Sequence, residues 1–285
     1  MALNSIITNG SAQVALASLN NITSELNNTQ KAISTGYIVA DATDNGAAFA
    51  VAQNVRSSVG ALTAANQQLG NATGLLGVTS STLTNISNTL ILAKATLVSL
   101  ASGDVTASER TQGITSFQSD ITAIGKALQG SNYNGATLIG NTTLGEANAT
   151  YGALTVAQDD QGDSIALTAF SGSAVLTSVN FTAAVLGSAS QVAALLTVTG
   201  TFTSQFNNVS TALNTYGNLT NLVNSQVSFN TSKITSLQTG VGALVDANEA
   251  QESASLQALQ VQQQLATSAL SIAEQTPSLL TKLIQ

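Results

Sequence analysis

One acidic run has residue types that could bind a metal ion. Asp159, Asp160 and Asp163 lie within five residues, with Gln161 and Gly162 between them. Clustered carboxylates are the ligands that Ca²⁺ prefers, and a helix–loop–helix calcium site presents them at fixed positions before a closing glutamate. That spacing and that glutamate are missing here, so the run predicts a solvated turn rather than a calcium site.

Other residues with catalytic potential are scarce. The chain contains no histidine and no cysteine, which removes the commonest general base, the thiol nucleophile and the usual zinc ligands. Gly125-Lys126 lacks the upstream glycine and the following hydroxyl residue of a phosphate-binding loop. No carboxylates are paired at helical spacing. The sequence therefore predicts no catalytic, cofactor or metal site, and an enzyme is not expected.

The composition indicates a protein that packs against other proteins. Of 285 residues, 44% are hydrophobic and only 7% are charged, well below the usual quarter. Uncharged polar surfaces on long helices favour subunit contacts over dispersal. The net charge is −7, and the seven Lys and Arg residues are spread along the chain, so nucleic-acid binding is not expected. No apolar stretch approaches the length of a membrane span.

A heptad repeat is the strongest structural pattern. Its first row is Val55, Leu62, Leu69, Leu76, Leu83, Leu90 and Leu97. Three places later a second row runs Ala65, Ala72, Thr79, Ile86, Ala93 and Leu100. Such rows are typical of one face of a long helix in coiled-coil packing. At 1.5 Å per residue the helix would be about 70 Å long, so it needs partner helices along its length. We interpret Gly60, Gly70, Gly74 and Gly77 within it as points of close helix approach.

The second half of the chain offers the partner. One row there is Phe206, Leu213, Thr220, Val227, Ile234 and Val241, and the second is Val209, Tyr216, Val223, Leu237 and Leu244. We therefore predict a mainly α fold, a rod in which these helices form a long antiparallel coiled-coil bundle. The predicted bundle seam comprises the first row of the earlier helix together with Leu213, Val227, Ile234 and Val241.

Both ends of the chain predict further amphipathic helices. Their apolar stripes contain Leu16, Leu19, Leu26 and Ile33 at the N-terminal end, and Leu256, Leu259 and Leu270 at the C-terminal end. Two lone helices cannot bury all of their apolar faces, so we assign these seven residues to an interface with neighbouring subunits. Gly36 is predicted to end the first helix, and Pro277 to end the last.

The middle of the chain changes pattern. Ser164–Phe170 and Val175–Phe181 are rich in β-forming residues and are separated by Ser171-Gly172-Ser173, which predicts a small β-rich subdomain. Ser131–Gly135 predicts a tight turn, with Asn134-Gly135 opening a hairpin. We expect the middle to face solvent and to be dispensable for assembly. Its candidate O-glycosylation sites are Thr168, Ser171, Ser173, Thr177 and Ser178.

Several short motifs occur at both ends of the chain. Ile33–Gly36 is followed by Asp44–Ala48, and Ser131–Gly135 stands further along. They resemble the spoke motif and the Thr-Gln-Phe-Asn-Gly turn of bacterial flagellin. Asp246-Ala247-Asn248 stands where the family has Asp-Ala-Asp, and Ala273–Pro277 resembles its Ala-Asn-Gln-x-Pro ending. The resemblance covers about residues 1–140 and 203–285, and the motifs occur in the family's order.

The resemblance implies a domain organisation. Channel-lining helices would occupy residues 1–36 and 247–285, and a spoke connector residues 37–54. The N-terminal part of the bundle with its hairpin would span residues 55–140, and the C-terminal bundle helix residues 203–246. A surface-exposed variable region, 141–202, would lie between them.

The resemblance also implies a function. It is that of a structural subunit that polymerises with copies of itself into the extracellular flagellar filament used for bacterial motility. The expected partners are the export machinery, an export chaperone and the filament cap, without nucleic acid, membrane insertion or cofactor. One alternative is a hook–filament junction protein with similar ends. Another is a coiled-coil secreted effector or translocator, which would require a long apolar helical hairpin.

Overall fold

The chain is mainly helical. The computed structural model describes residues 9–140 and 150–284, with side chains described as far as residue 275. In chain order the elements are α1 (Gly10–Thr35), α2 (Ala42–Leu100), α3 (Ala107–Gln129), β1 (Ala136–Thr137), β2 (Thr150–Tyr151), β3 (Leu154–Ala157), β4 (Ser164–Leu167), α4 (Gly172–Val179), α5 (Ala183–Leu186), α6 (Ala189–Leu195), α7 (Thr201–Val245) and α8 (Glu249–Ile284). The mainly α fold class with a small sheet in the middle is confirmed.

These elements form two compact units. The core unit is Val59–Ile234, and the end unit combines the residues up to Ser58 with those from Thr235. Helices α2 and α7 each contribute residues to both units. In the core unit α2, α3 and α7 bury a common hydrophobic core, on which short elements of the middle region also pack. In the end unit α1 packs along α8.

Local signals explain where the helices begin and end. Helix α1 ends at Thr35 because Gly36 adopts the left-handed conformation and its N–H donates to Ala32 O. Helix α2 ends at Leu100, just before Ser102-Gly103-Asp104, and α3 then starts in a capping box formed by Thr106 and Glu109. Helix α2 is kinked at Asn45, whose φ of −159° is not helical. The long helical part begins there, earlier than the predicted Val55, and Asn45 Oδ1 caps it by accepting from Ala48 N at 3.1 Å.

The predicted turn at Ser131–Gly135 is confirmed. Tyr133 and Ala136 exchange two backbone hydrogen bonds, at 2.9 and 3.0 Å. Asn134 and Gly135 between them have φ of 49° and 79°, the geometry that a two-residue hairpin loop requires. Strand β1 then pairs in parallel with β2, while β3 and β4 form a separate antiparallel pair.

The predicted second β run is wrong. Ser164–Leu167 is a strand, but Val175–Phe181 is not, since Gly172–Val179 forms helix α4. Ser171 caps this helix by accepting from Ala174 N, and Val175 and Val179, four residues apart, are both buried against the core. Val175 and Val179, which favour strands by type, therefore lie on one buried face of a helix that Ser171 caps. Helices α5 and α6 add to the helical content of the middle.

Pro277 does not end the last helix, contrary to the sequence-based expectation. Helix α8 continues through it to Ile284. A proline has no N–H to donate to the carbonyl four residues earlier, which here is that of Ala273. Asn9 Nδ2 donates to that carbonyl at 2.7 Å, while Asn9 Oδ1 caps α1. One side chain thus joins the start of α1 to the helix turn that the proline weakens.

The interpretation of the α2 glycines is also wrong for three of the four. A Cβ at Gly60, Gly70 or Gly77 would meet nothing within 4 Å. At Gly74 it would lie 2.5 Å from the Tyr133 ring. Only this glycine marks a close approach, and the neighbour is an aromatic side chain rather than a helix.

Candidate functional site

The heptad row of α2 lies at the centre of the core unit. Leu62, Leu69, Leu76, Leu83, Leu90 and Leu97 are each 0% exposed, and every residue of the second row is also buried. Val55, in the end unit, is half-buried. The structure therefore brings together the six predicted leucines of this seam inside one molecule.

On α7 the buried row differs from the one chosen from the sequence. Leu213, Val227, Ile234 and Val241 are half-buried, and Leu244 is exposed. The fully buried row is Phe202, Val209, Tyr216, Val223 and Asn230. This row continues the seven-residue spacing of the second predicted row through Asn230. Because Asn230 is polar, a pattern of apolar residues alone does not include it. The uninterrupted seven-residue spacing of the row is the signal that would have identified it.

Asn230 is the buried polar residue of this row, and all of its amide groups have partners. Its Nδ2 donates to Asn66 Oδ1 at 3.0 Å and to Gln158 O at 2.8 Å, while its Oδ1 accepts from Gln226 Nε2 at 2.9 Å. The amide therefore joins α7 to α2 and to the loop that follows β3. A satisfied polar group in a seam favours one register over its slipped alternatives.

The acidic run is a turn, but it is not fully solvated as expected. Asp159 Oδ1 accepts from the backbone N–H groups of Gln161 and Asp163. Asp160, whose side chain is only 4% exposed, pairs with Lys233 of α7 at 2.6 Å. Within the described ranges, no group of three acidic, His or Cys side chains could hold a metal ion. The run therefore fixes the β3–β4 turn to α7.

The candidate glycosylation residues lie between strand β4 and the end of helix α4. Thr168, Ser171 and Thr177 are exposed, whereas Ser173 and Ser178 are half-buried. The Tyr216 hydroxyl on α7 donates to the Thr168 carbonyl at 2.9 Å, and burial raises the pKa of that hydroxyl. Thr168 therefore combines an exposed side chain with a backbone carbonyl fixed on the core.

In the end unit, two connectors that carry flagellin-like motifs meet. Tyr37, after α1, forms an antiparallel bridge with Asp246, after α7. Ile38 N donates to Val245 O at 2.8 Å, and Ala247 N donates to Gly36 O at 2.9 Å. A small apolar cluster of Val39, Ala48, Ala52 and Val245 lies beside them, so distant parts of the sequence build one junction.

Lys31 stabilises the same connector by charge. Its ammonium lies 2.7 Å from Asp41 Oδ2 and 2.8 Å from Asp44 Oδ1. Asp44 Oδ2 also accepts from the backbone N–H groups of Ala40 and Asp41. Hydrogen bonds from Lys31 hold the pKa values of both carboxyl groups below the ordinary 3.8, and the pKa of Lys31 is raised.

We expect Lys31→Gln to reduce the acid sensitivity of the end unit. A carboxylate with a lowered native pKa contributes stability above its unfolded pKa near 4, and this contribution is lost as the pH falls through the native value. Without Lys31 the native pKa values rise and the contribution shrinks. The difference between the thermal midpoints of wild type and variant should therefore be largest near pH 7 and should narrow as the pH falls below about 4, toward the lowered native pKa values. Lys126→Gln serves as a control, and a gap that widens on acidification would contradict the prediction.

The predicted interface residues divide by exposure along the α1–α8 pair. Leu26 and Leu259 are buried, Leu19, Ile33, Leu256 and Leu270 are half-buried, and Leu16 is exposed. A groove of about 520 Å³ runs between the helices, lined among others by Glu25, Ile38, Glu252 and Leu259. Most of the predicted stripe therefore faces the partner helix of the same chain.

Sequence reasoning missed a second apolar stripe on α8. Val261, Leu265 and Ile272 are 55%, 65% and 68% exposed. They are spaced four and seven residues apart, so they share one face of the helix, nearly opposite Leu259 and Leu270. Val14 on α1 is exposed as well, at 69%. Two apolar faces on one helix were visible in the sequence, and the outer face is the one that the α1–α8 contact leaves exposed.

Comparison with known proteins decides the family. Residues 6–143 match the model of the bacterial flagellin N-terminal helical region, and residues 199–284 match that of the C-terminal helical region. The chain is 31% identical to flagellin FljO of Caulobacter vibrioides over the whole of both chains. The chain belongs to the bacterial flagellin family. A flagellin of Brucella melitensis is also 31% identical, over 94% of this chain and 95% of its own.

This flagellin is a structural subunit of the extracellular flagellar filament, where it polymerises with copies of itself and serves motility. Flagellins are not enzymes, in agreement with the prediction. A putative flagellar hook-associated protein of Vibrio parahaemolyticus has a similar fold, with a TM-score of 0.59 over 71% of this chain and all of that chain, at 16% identity. At that identity the likeness concerns the fold alone. No described helix has the length and apolarity to cross a membrane.

Proposed function

We propose that the outer faces of α1 and α8 form a polymerisation surface of this flagellin. The supporting observation is the exposed stripe of Val261, Leu265 and Ile272 on α8, with Val14 and Leu16 exposed on α1. Large apolar side chains at one helical face mark protein contacts when they form a contiguous patch. The buried side of the same helices is occupied by the α1–α8 contact, which supports an external partner for the outer side.

The seven residues predicted as one subunit interface have two different roles in this proposal. Leu26 and Leu259 hold α1 against α8, and Leu19, Ile33, Leu256 and Leu270 flank that contact. Leu16 acts with the outer stripe on a neighbouring subunit. Each helix thus serves both the monomer and the polymer, which is consistent with the low charge of the chain.

We predict that the double substitution Leu265→Gln and Ile272→Gln impairs assembly but leaves the monomer folded. Both side chains are about two-thirds exposed, so the thermal midpoint of the monomer should change by no more than a few degrees. Burial of two such side chains contributes several kcal/mol to a contact. We expect the critical concentration for polymerisation, measured by sedimentation, to rise at least roughly tenfold.

The double substitution Gln260→Asn and Gln264→Asn is the matched control, because both residues are exposed on the same helix and remain polar. The control should polymerise like wild type. Normal assembly of the Leu265/Ile272 variant, at an unchanged critical concentration, would remove the outer stripe from the interface.

We further propose that the flagellar export machinery, an export chaperone and the filament cap handle this chain before assembly. Family membership supports this proposal. Affinity purification of unpolymerised chain from the producing cells should recover a chaperone, and recovery of the bare chain alone would contradict that part.

The exposed hydroxyl groups of Thr168, Ser171 and Thr177 are proposed as preferred O-glycosylation sites over the half-buried Ser173 and Ser178. A sugar attached to an exposed hydroxyl group stays in contact with solvent and displaces no packed side chain. Intact-mass measurement on native filaments, followed by peptide mapping, tests this; a mass equal to the bare chain would refute it.

A further inference from the structure

Two exposed apolar stripes in the core unit are unexplained by the intramolecular seam. On α2 the stripe consists of Ile91 and Val98, and on α7 of Leu222 and Phe229. All four side chains are at least half exposed. Burying such a side chain in a contact is favourable by roughly 25 cal/mol per Å² of apolar area. These stripes lie outside the α1–α8 surface proposed above and belong to a different unit of the chain.

The two stripes have the same spacing. In each, seven residues separate the two apolar side chains, which is two turns of helix and about 10.5 Å. Residues seven apart lie on nearly the same side of a helix. Two helices with equal repeats can interdigitate their side chains, as coiled coils do. Each stripe is therefore geometrically suited to the other.

One molecule cannot bring its own stripes together. Lys94, between Ile91 and Val98, lies over the ring of Phe206 at 5.8 Å. Asn230, next to Phe229, bonds Asn66 at 3.0 Å. Twenty-eight residues separate Asn66 from Lys94 on α2, about 42 Å along the helix. The α2 stripe and the α7 stripe therefore lie at different levels of the core unit.

The surroundings favour burial. Asn88, Ala95 and Ser99 lie near the α2 stripe, and Asn218 and Ser225 near the α7 stripe, all exposed and uncharged. The nearby charges already have partners: the Lys94 ammonium lies 5.8 Å from the centre of the Phe206 ring, and Lys233, four residues after Phe229, pairs with Asp160 at 2.6 Å. A partner that covered either stripe would therefore need to desolvate few charges, which is the main cost of burying a surface.

We propose that the α2 stripe of one flagellin molecule binds the α7 stripe of a second copy in the filament. The occupant is another copy because this chain polymerises with itself, and because each copy carries both matched stripes at different levels. Pairing of unlike surfaces leaves one free α7 stripe and one free α2 stripe at the ends of every pair. Contacts of this kind propagate an open chain, whereas pairing of like surfaces closes a dimer.

The absence of cysteine from the sequence permits a direct test by disulfide cross-linking. One chain carries Val98→Cys and a second, affinity-tagged chain carries Phe229→Cys; the two are copolymerised with excess wild type and oxidised mildly. The combinations with Ile91→Cys and Leu222→Cys cover parallel and antiparallel pairing. A disulfide requires Cα atoms within about 7 Å, so a cross-link between these levels must join two molecules.

We expect a mixed dimer of tagged and untagged chains in at least one combination, formed in filaments at least tenfold more than in monomer solution. The matched control is Asn224→Cys, which is exposed at the same level of α7 but on another face. Dimers of Val98→Cys with itself in place of mixed dimers would overturn the proposal, as would equal cross-linking of Asn224→Cys.

A second measurement does not depend on cysteine geometry. Leu222→Ser with Phe229→Ser should leave the monomer midpoint within a few degrees of wild type and raise the critical concentration at least roughly tenfold. Unchanged assembly would overturn the proposal. The result is distinguishable from a failure of the α1–α8 surface, because the Leu265/Ile272 variant tests that surface in the other unit.

Discussion

Replacing Leu76 by aspartate is expected to unfold the core unit at or near ordinary growth temperatures. Leu76 is 0% exposed and packs in the shared core of α2, α3 and α7. Truncation to alanine alone should cost about 2–5 kcal/mol. Aspartate adds a buried charge without a partner, which costs several kcal/mol more. Together these effects approach the whole stability of a typical domain, about 5–15 kcal/mol.

Thermal unfolding followed by circular dichroism measures this effect. Gln67→Asp is the control, because Gln67 is exposed on the same helix, and it should lower the midpoint only slightly. Ile234→Asp should fall between them, since Ile234 is half-buried. If Leu76→Asp and Gln67→Asp lower the midpoint equally, the heptad seam does not hold the core together.

Asn230→Asp is expected to destabilise the core unit by several kcal/mol although it changes hardly any volume. The substitution replaces the Nδ2 group, which donates to Asn66 and to the Gln158 carbonyl, by a carboxylate oxygen. The Gln158 carbonyl can only accept, so it would face a negative charge at hydrogen-bond distance. Breaking a buried polar network in this way leaves uncompensated charge and acceptors.

The pH dependence separates charge from packing in this variant. Protonation of the introduced carboxyl group restores a donor, so the loss in midpoint should be larger at pH 7 than at pH 4. Asn224→Asp, at an exposed position of the same helix, is the control and should stay close to wild type at both values. A loss that is equal at both pH values would indicate that the amide contributes shape rather than hydrogen bonds.

The core seam and the outer stripes have different tasks. The seam is saturated within the molecule, with both rows of α2 buried from Leu62 to Leu100. We therefore propose that assembly uses apolar residues that the seam leaves exposed, such as Leu265 and Ile272 on α8 or Phe229 on α7. This separation explains why substitutions on the outer faces should change polymerisation without changing the stability of the monomer.

The sequence alone determined the long helices, the turn and the family. Periodicity predicted the long helices α2 and α7 because an apolar row every seventh residue is a local property of helix geometry, although on α7 it selected a half-buried row as the seam. The turn at Asn134-Gly135 was predictable because only a few residue types adopt positive φ easily. The order of short motifs pointed to flagellin, since each motif occupies a fixed place along the chain.

Tertiary structure decided the polar and the outward-facing positions. Asn230 belongs to the seam because Asn66 and Gln158 satisfy its amide, and Asp160 is buried because Lys233 reaches it from α7. Val175–Val179 is a helix because the core accepts its side chains four residues apart. Pro277 lies inside α8, where Asn9 donates to the carbonyl that a proline cannot reach. In each case the contacting residue is more than 30 residues away in the sequence or lies on another element. The spacing of residues along one helix carries no information about such contacts.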